Sequence, residues 1–479
     1  MRNLTLLTDF YELTMMNGYL KEGIADNLAV FDVFYRGGNK LDYAMCAGLE
    51  QVVDYVNNLS FSDDDISYLK GLGVFDEDFL NRLKNFRFTG DIYAVPEGTI
   101  IFPYEPILTV KAPLFEAQLL ETSILCILNH QTLIATKATR LCQNTDARIM
   151  EFGLRRAQGP DAGIYGARAA YIGGCRSTSN VLAGQMFGIP VKGTHAHSWV
   201  MSFPDELTAF RAYADLYPDG CMLLVDTYDT LKSGVPNAIK VFDELKEKGY
   251  KPLGIRLDSG DLAYLSKEAR KMLDAAGHSD CIICVSNDID EEVLLSLKAQ
   301  DAKIDLFGIG TRLITSYDAP SLGGVYKLCA IEENGRLVPK IKLSDTQAKI
   351  TNPGVKKIFR IFDKDGFATA DLIALKKDKI DTTKPLTIFH PQYPWKKTTF
   401  SDYEVKEIMV TVYKGGKQVY KLPSLEEIAA SADDCVAHFY PEYLRTINTQ
   451  EYKVDLTESL YNLKIRMLTK NSKNNAIMP

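Results

Sequence analysis

The sequence predicts an α/β fold: an irregular parallel α/β barrel preceded by most of an α+β domain. Three observations carry this. Between residues 147 and 330, short apolar runs alternate with helical patterns at a spacing of about 30 residues, as parallel βαβ units do. Roughly six to seven such units fit in that interval, which favours a barrel over an open sheet. Almost every strand there ends in polar or charged residues, and in a barrel those ends share one mouth.

Composition sets the outer bounds. At 479 residues the chain exceeds one ordinary domain, and its organisation reads as 1–112 (most of an α+β domain), 113–335 (barrel) and 336–479 (a helical and hairpin segment, which the family resemblance given below would make the completion of the first domain). A hydrophobic share of 46% and a charged share of 24% are those of a globular protein. The net charge of −7 argues against a nucleic-acid partner, so an anionic substrate must meet a local basic site. Asp9 and Glu12 interrupt the N-terminal MRNLTLLTDFYELTMM, which therefore lacks a signal-peptide core, and no apolar run suits a bilayer. Nine scattered cysteines suggest reduced thiols in a cytoplasmic enzyme. Cys281 and Cys284 spell C-x-x-C, but CIICVS reads as a buried strand and not as a redox motif.

The elements follow in order. Residues 1–20 read as a short polar entry and a helix capped by Thr8 or Asp9. AVFDVFYR (29–36) alternates as a half-buried strand does; 41–86 reads as helices; DIYAV, GTIIF and PILTVKAP are short strands divided by glycine and proline. Residues 114–142 read as one long helix, apolar on much of its surface. The alternating region then begins with ARIMEFG as strand and DAGIYGARAAYIG as helix. Helix at 179–187 and strand IPVKGT follow, then PDELTAFRAYADLY and CMLLV, then VPNAIKVFDELKEKG and PLGIRL. The next helix, DLAYLSKEARKMLDAAG, places Leu262, Leu265, Ala269, Met272, Leu273 and Ala276 on one face. CIICVS, DEEVLLSLKAQ and KIDLFGIG complete the series. Beyond about 335 the alternation stops. A loop-like IKLSDTQAKITNPGVKK precedes hairpins turned at Lys364-Asp365-Gly366 and Gly415-Gly416. Helices at 424–431 and 440–467 and a fraying tail KNSKNNAIMP end the chain.

The strand ends hold the chemistry. Glu151, Phe152, Arg155 and Arg156 close one strand; Thr194, His195 and His197 another; Asp226 and Asp229 follow CMLLV. Arg256, Asp258 and Asp261 follow PLGI, Ser286, Asn287 and Asp288 follow CIICV, and Gly308, Gly310, Thr311 and Arg312 follow KIDLF. FGIGTR offers glycine N–H groups, a hydroxyl and a guanidinium suited to phosphate. SNDIDE offers similar groups, although Asp288 with Glu291 equally fits a helix capping box. Asp258 and Asp261 suit ribose hydroxyls or Mg²⁺, while Asp258 or Ser259 could equally cap the next helix. His195 and His197, two apart, could share a metal in extended chain, but too few other histidines lie nearby for a zinc site. A single histidine acting as nucleophile or phosphate carrier needs no such partners.

At these residues the chain resembles the nicotinate phosphoribosyltransferases over about 4–415. The likeness rests on LLTDFYELTM, VFDVFYR, EFGLRRAQGPDAG, GGCRSTSNVLAGQMFGIPVKGTHAHS, GIRLDSGDL, VSNDID, FGIGTRLITS and LGGVYKL, in that order. The resemblance implies a type II phosphoribosyltransferase-like barrel with an N-terminal domain completed by later chain. It implies transfer from 5-phosphoribosyl 1-pyrophosphate to nicotinate, giving nicotinate mononucleotide and pyrophosphate in NAD biosynthesis, with Mg²⁺ and with ATP hydrolysed through a phosphohistidine. It also implies a homodimer with shared active sites. Carried over by motif, His197 resembles the phosphorylated histidine, with Arg256 and Asp258 as further catalytic residues. Tyr11 and Phe152 would sandwich the pyridine ring, with Tyr11 from the partner subunit. Arg155, Thr194 and Arg256 would contact nicotinate or the pyrophosphate-bearing ribose. Asp258 would hold ribose or magnesium, with Asp261 as a second magnesium ligand. Asn287, Asp288, Gly310 and Thr311 would bind the 5-phosphate region, with Ser286 and Gly308 as further substrate-binding residues. His195 stands where the family usually has another residue, Arg156 takes no role, and nothing is assigned after about 415. Alternatives are a nicotinamide or quinolinate phosphoribosyltransferase, a metal-dependent barrel hydrolase, or a non-catalytic nucleotide sensor. Arg155 with Arg156 favours an acid over its neutral amide.

Overall fold

The computed structural model describes residues 3–38, 41–344, 346 and 349–475. The chain divides into two compact units: Ile134–Pro320, and Met1–Leu133 together with Ser321–Pro479. Borders read from sequence stand at 112/113 and 335/336; those of the compact units fall inside the helix Glu121–Gln143 and at 320/321.

In the unit 134–320, five parallel strands form one sheet: β1 (Arg148–Glu151), β2 (Met222–Leu224), β3 (Gly254–Leu257), β4 (Ile282–Asn287) and β5 (Leu306–Ile309), in the order β1-β5-β4-β3-β2. Their central residues are buried, as expected of a parallel sheet covered on both faces. Beyond β1 the array continues through single parallel bridges, Glu151 to Thr178 and Thr178 to Val191. IPVKGT, expected as a strand, thus contributes one bridge residue. The expected barrel is present as an incompletely closed parallel array, with no ladder between Val191 and β2 among the described residues.

One local device repeats after the strands. A side-chain oxygen caps four of the helices in this unit: Asn180 accepts from Ala183 N, Asp205 from Thr208 N, Asp261 from Tyr264 N and Asp290 from Val293 N. Each satisfies an N–H that would otherwise lack a partner at the helix start. The cap of Glu291–Ala299 is therefore Asp290, not Asp288. Glu291 is instead buried, 2.5 Å from Lys137 Nζ and 3.4 Å from Arg140 Nε. The buried face of the helix Leu262–Ala275 is Leu262, Ala263, Ser266, Ala269 and Leu273; Leu265, Met272 and Ala276 lie outside it. Ser266 can sit inside because its hydroxyl donates to Ala263 O and accepts from Lys303 N.

The second unit is built by pairing distant parts of the chain. Its seven-stranded antiparallel sheet runs in the order 336–339, 324–333, 28–35, 108–113, 91–94, 410–414, 417–418. The expected discontinuous α+β domain is this sheet with its helices. Gly415 and Gly416 take φ of 55° and 74°, so the two-residue hairpin turn falls where the sequence places it. Strands 356–362 and 368–375 form the other expected hairpin. The expected helix at 114–142 is two helices, Leu114–Leu119 and Glu121–Gln143. Glu12 makes the break favourable by accepting from Thr122 N (2.9 Å) and its hydroxyl (2.6 Å), capping the second helix from outside. The expected helix at 440–467 is also corrected. Pro441–Leu444 is a short helix, Lys453–Leu456 is a strand paired parallel to Ala368–Leu375, and a helix runs Glu458–Asn475. Sheet pairing overrides local pattern in so short a segment. The tail expected to fray is helical to Asn475, and 476–479 lie outside the described residues.

Candidate active site

The C-terminal ends of the parallel strands bring four of the predicted residues, Arg256, Asp258, Ser286 and Thr194, into one hydrogen-bonded constellation, with His197 beside it. Arg256 organises it from β3. Its Nε donates to Ser286 Oγ on β4 (2.8 Å), Nη1 to Thr194 Oγ1 (3.0 Å) and Nη2 to Asp258 Oδ1 (2.9 Å). All three guanidinium nitrogens are thereby committed, and the plane is fixed. The guanidinium carbon lies 5.7 Å from the centre of the Phe152 ring, within cation–π range.

Phe152 is set by glycine. A Cβ built on Gly308 would lie 2.5 Å from Phe152 Cδ2, and one on Gly310 3.1 Å from Phe152 O. The two glycines read as phosphate groups thus have a second role: they let the ring lie flat on β5. Glu151, buried beneath, accepts from Thr178 Oγ1 (2.5 Å) and from Gly153 N. Its carboxyl is pushed up by burial, and those two donors partly offset the effect. Arg155 projects from the short 3₁₀ turn Leu154–Arg156, exposed.

His197 starts the helix His197–Met201 and is half-exposed. Its Nδ1 lies 3.1 Å from Thr227 Oγ1, and its Nε2 faces Asp226 Oδ1 (3.9 Å) and Asp258 Oδ2 (3.8 Å). Asp226 is buried. Its Oδ2 accepts from Asp258 N (2.8 Å) and Ser259 Oγ (2.6 Å), while Oδ1 has no hydrogen-bond partner. An orphaned buried carboxylate oxygen directed at an imidazole nitrogen calls for a proton or a cation between them. Burial would raise Asp258, but Ser286, Arg256 and His197 outweigh it and hold the carboxyl below its usual value. Sequence reasoning gave no role to Asp226 and Thr227. The available signal was position, since Asp226 follows β2 as Asp258 follows β3.

His195 points elsewhere. It is buried, and its Nε2 accepts the N–H of Leu224 on β2 (3.2 Å). That contact spans the gap where the parallel array lacks a ladder. Accepting at Nε2 places the proton on Nδ1, 3.4 Å from Ala196 O. Burial pushes its pKa down to about 4, with smaller contributions from Arg256 and His197. The two histidines therefore have opposite characters, one a neutral strut and one an addressable base. They are not co-ligands, and no group of three or more metal-ligating side chains occurs among the described residues.

The other predicted residues are placed as follows. Ser286 also donates to Asp258 Oδ1. Asn287 and Asp288 continue from β4, with Asp288 N donating to Asn287 Oδ1 (2.8 Å). Thr311 opens the short helix Thr311–Ile314 after β5. Asp261 is used as a helix cap. Tyr11 belongs to the other unit, exposed on the helix Phe10–Lys21. Cys281 and Cys284 are free and buried, and burial pushes their thiols up to about 11 and about 12, which is inert rather than redox chemistry.

Comparison with known proteins decides the family. The nicotinate phosphoribosyltransferase N-terminal domain matches residues 6–129, the nicotinate phosphoribosyltransferase family 147–369, and the C-terminal domain 355–464. The chain belongs to the nicotinate phosphoribosyltransferase family, and it is an enzyme of that type. It is 45% identical over 469 residues to the nicotinate phosphoribosyltransferase of Bacillus subtilis, covering 97% of this chain and 95% of that one. Identity to the human enzyme is 35%, over 95% of each chain. The crystal structure of human nicotinic acid phosphoribosyltransferase superposes with a TM-score of 0.85, covering 96% of this chain and 99% of that one at 33% identity. Nicotinate-nucleotide pyrophosphorylase from Pyrococcus furiosus shares the fold, with a TM-score of 0.69 at 22% identity over 91% of this chain and 96% of that one. These likenesses assign the fold: an α/β chain of type II phosphoribosyltransferase architecture. No described helix is long and apolar enough to cross a membrane.

Proposed function

We propose that this family member transfers the 5-phosphoribosyl group of 5-phosphoribosyl 1-pyrophosphate to nicotinate in NAD biosynthesis, with ATP hydrolysis coupled through His197. The pyridine nitrogen attacks C1 of the ribose, the C1–O bond breaks, and pyrophosphate leaves with the bonding pair. The observation that carries the coupled reading is the imidazole of His197, held between Thr227 and the paired carboxylates Asp226 and Asp258.

The carboxylates favour a proton on Nε2, which leaves the Nδ1 lone pair beside the Thr227 hydroxyl as the nucleophile. Nδ1 attacks the γ-phosphorus of ATP and the P–O bond to ADP breaks. The phosphorylated ring keeps its Nε2 proton and is cationic, and Asp226 and Asp258 stabilise that charge. Water later cleaves the P–N bond and returns the ring to its starting state. By analogy with other phosphorylated side chains, about −1.5 to −2 charge units appear at the mouth while the phosphoryl group is present. That charge would order neighbouring loops and tighten binding of the diphosphate substrate.

Phe152 offers one face of a pyridine sandwich, and the exposed Tyr11 would supply the other from a partner subunit of a homodimer. Arg155, exposed and with no carboxylate bound to it among the described residues, would receive the nicotinate carboxylate. Arg256 and Thr194 would meet the pyrophosphate-bearing ribose. Ser286, Asn287, Asp288, Gly308, Gly310 and Thr311 would line the 5-phosphate end. A magnesium ion would be held by Asp258 together with the substrate phosphates rather than by Asp261, whose carboxylate caps a helix, leaving Asp226 Oδ1 to the Nε2 proton of His197; it would neutralise the leaving pyrophosphate. The test is product formation from nicotinate and from nicotinamide, each with and without ATP. Nicotinate alone should give mononucleotide, and ATP should accelerate it. Equal use of nicotinamide, or unchanged ATP stimulation in His197→Ala, would overturn the reading.

A further inference from the structure

A cavity of about 1070 Å³ lies in the discontinuous unit, apart from every residue assigned to the reaction. Its size is that of ligand-binding sites, about 300–1,000 Å³. Its lining includes His390, Trp395, Lys396, Tyr452, Lys453 and Lys464.

Lys464 is anomalous. It is 6% exposed, and its ammonium donates to the carboxamide of Asn352 (2.9 Å), with no carboxylate in ion-pair reach among the described residues. Burial pushes its pKa down to about 8, and Lys356 adds to the effect. A buried ammonium without an anion is costly, and a ligand carrying one relieves that cost. Among the described residues, five cationic side chains line the cavity against three carboxylates.

The aromatic side is equally specific. Trp395 is 75% exposed, far beyond what packing would leave for an indole. It ends a series of rings, His390 to Tyr393 at 4.8 Å and Tyr393 to Trp395 at 5.2 Å, with Lys396 Nζ 5.0 Å from the Tyr393 centre. His390 Nδ1 accepts from the amides of Gln392 and Tyr393 (3.1 Å each), which places its proton on Nε2 as a donor. The platform is therefore braced by backbone before any ligand arrives. Asp455, buried in the lining, could accept from a hydroxyl or an exocyclic amine.

We propose that this cavity binds a 5′-nucleotide, with the base stacked on Trp395 and the phosphate received by Lys464 and Lys453. A stacking face and a desolvated cation in one cavity suit a molecule with both a planar heteroaromatic ring and a phosphate. None of the lining residues is among those assigned to the phosphoribosyl site, so the cavity would give the enzyme a second nucleotide contact.

Tryptophan fluorescence tests this. The chain has two tryptophans, so the signal lost in Trp395→Phe reports residue 395 alone. Adenosine 5′-monophosphate should quench that component saturably. Adenosine and inorganic phosphate, each offering half the recognition, should bind at least about tenfold more weakly. Lys464→Met should weaken the nucleotide at least about tenfold without lowering the melting temperature, since an unpaired buried charge is removed. No quenching of the Trp395 component, equal affinity in Lys464→Met, or a response confined to Trp199 would each overturn the proposal.

Discussion

His195 provides a quantitative test of the barrel-closing contact. Its imidazole is neutral in the folded protein because it is buried and accepts the N–H of Leu224. The folded pKa is near 4 against 6.5 for the free side chain. A histidine depressed in this way contributes stability fully above pH 6.5, and the contribution is lost as the pH falls toward 4. The difference corresponds to about 3 kcal/mol, most of it gone by pH 4.5. Gln in place of His195 keeps an acceptor near the Nε2 position but does not titrate. Urea unfolding of wild type and His195→Gln should be compared at pH 7.5 and 4.5. Trp199 is the appropriate probe because it packs 6.1 Å from Tyr213, which itself lies edge-on to His195 at 4.8 Å. Wild type should lose about 2–3 kcal/mol more than the variant over that interval. Equal slopes would refute the neutral-strut reasoning.

Three further outcomes follow from the same geometry. Gly308→Ala places a methyl 2.5 Å from the Phe152 ring, so the ring must move; KM for nicotinate should rise about 10–100-fold, with the melting temperature little changed and kcat less affected. Glu291→Gln removes one of the two carboxylates bonded to the buried Lys137, leaving Asp318 at 2.6 Å, and should cost about 1–3 kcal/mol in urea unfolding, whereas an ion pair that contributes nothing would leave the midpoint in place. Asp226→Asn keeps an oxygen for Asp258 N and Ser259 but turns a donor toward His197 Nε2; ATP-stimulated turnover should fall about 10²–10⁴-fold while ATP-independent transfer persists.

The parallel region was legible because its units repeat one local grammar: an apolar run and a polar end, with a side-chain cap after β3 and β4. That placed Arg256, Asp258, Ser286 and His197 at one mouth, where the structure bonds the first three together and sets His197 Nε2 3.8 Å from Asp258. Local grammar fails where partners are remote. Nothing near residues 453–456 announces that KVDL will pair with 368–375, and nothing near Leu120 announces that Glu12 will cap the next helix. The role of Asp226 was hidden for the same reason. Its place after a strand marks it as one of the polar strand ends, and only the fold shows its Oδ1 unpartnered opposite an imidazole. His195 and His197, alike in sequence, are separated only by which of them the sheet buries.

The central claim is that His197 carries a phosphoryl group during nicotinate phosphoribosylation. The most direct measurement is incubation with γ-labelled ATP, followed by acid and alkali treatment of the denatured protein. The account predicts a stoichiometric label that is stable to alkali, labile to acid, absent from His197→Ala, and discharged as phosphate when nicotinate and 5-phosphoribosyl 1-pyrophosphate are added. An unlabelled wild-type protein that still shows ATP-stimulated product formation, or the same label in His197→Ala, would contradict it.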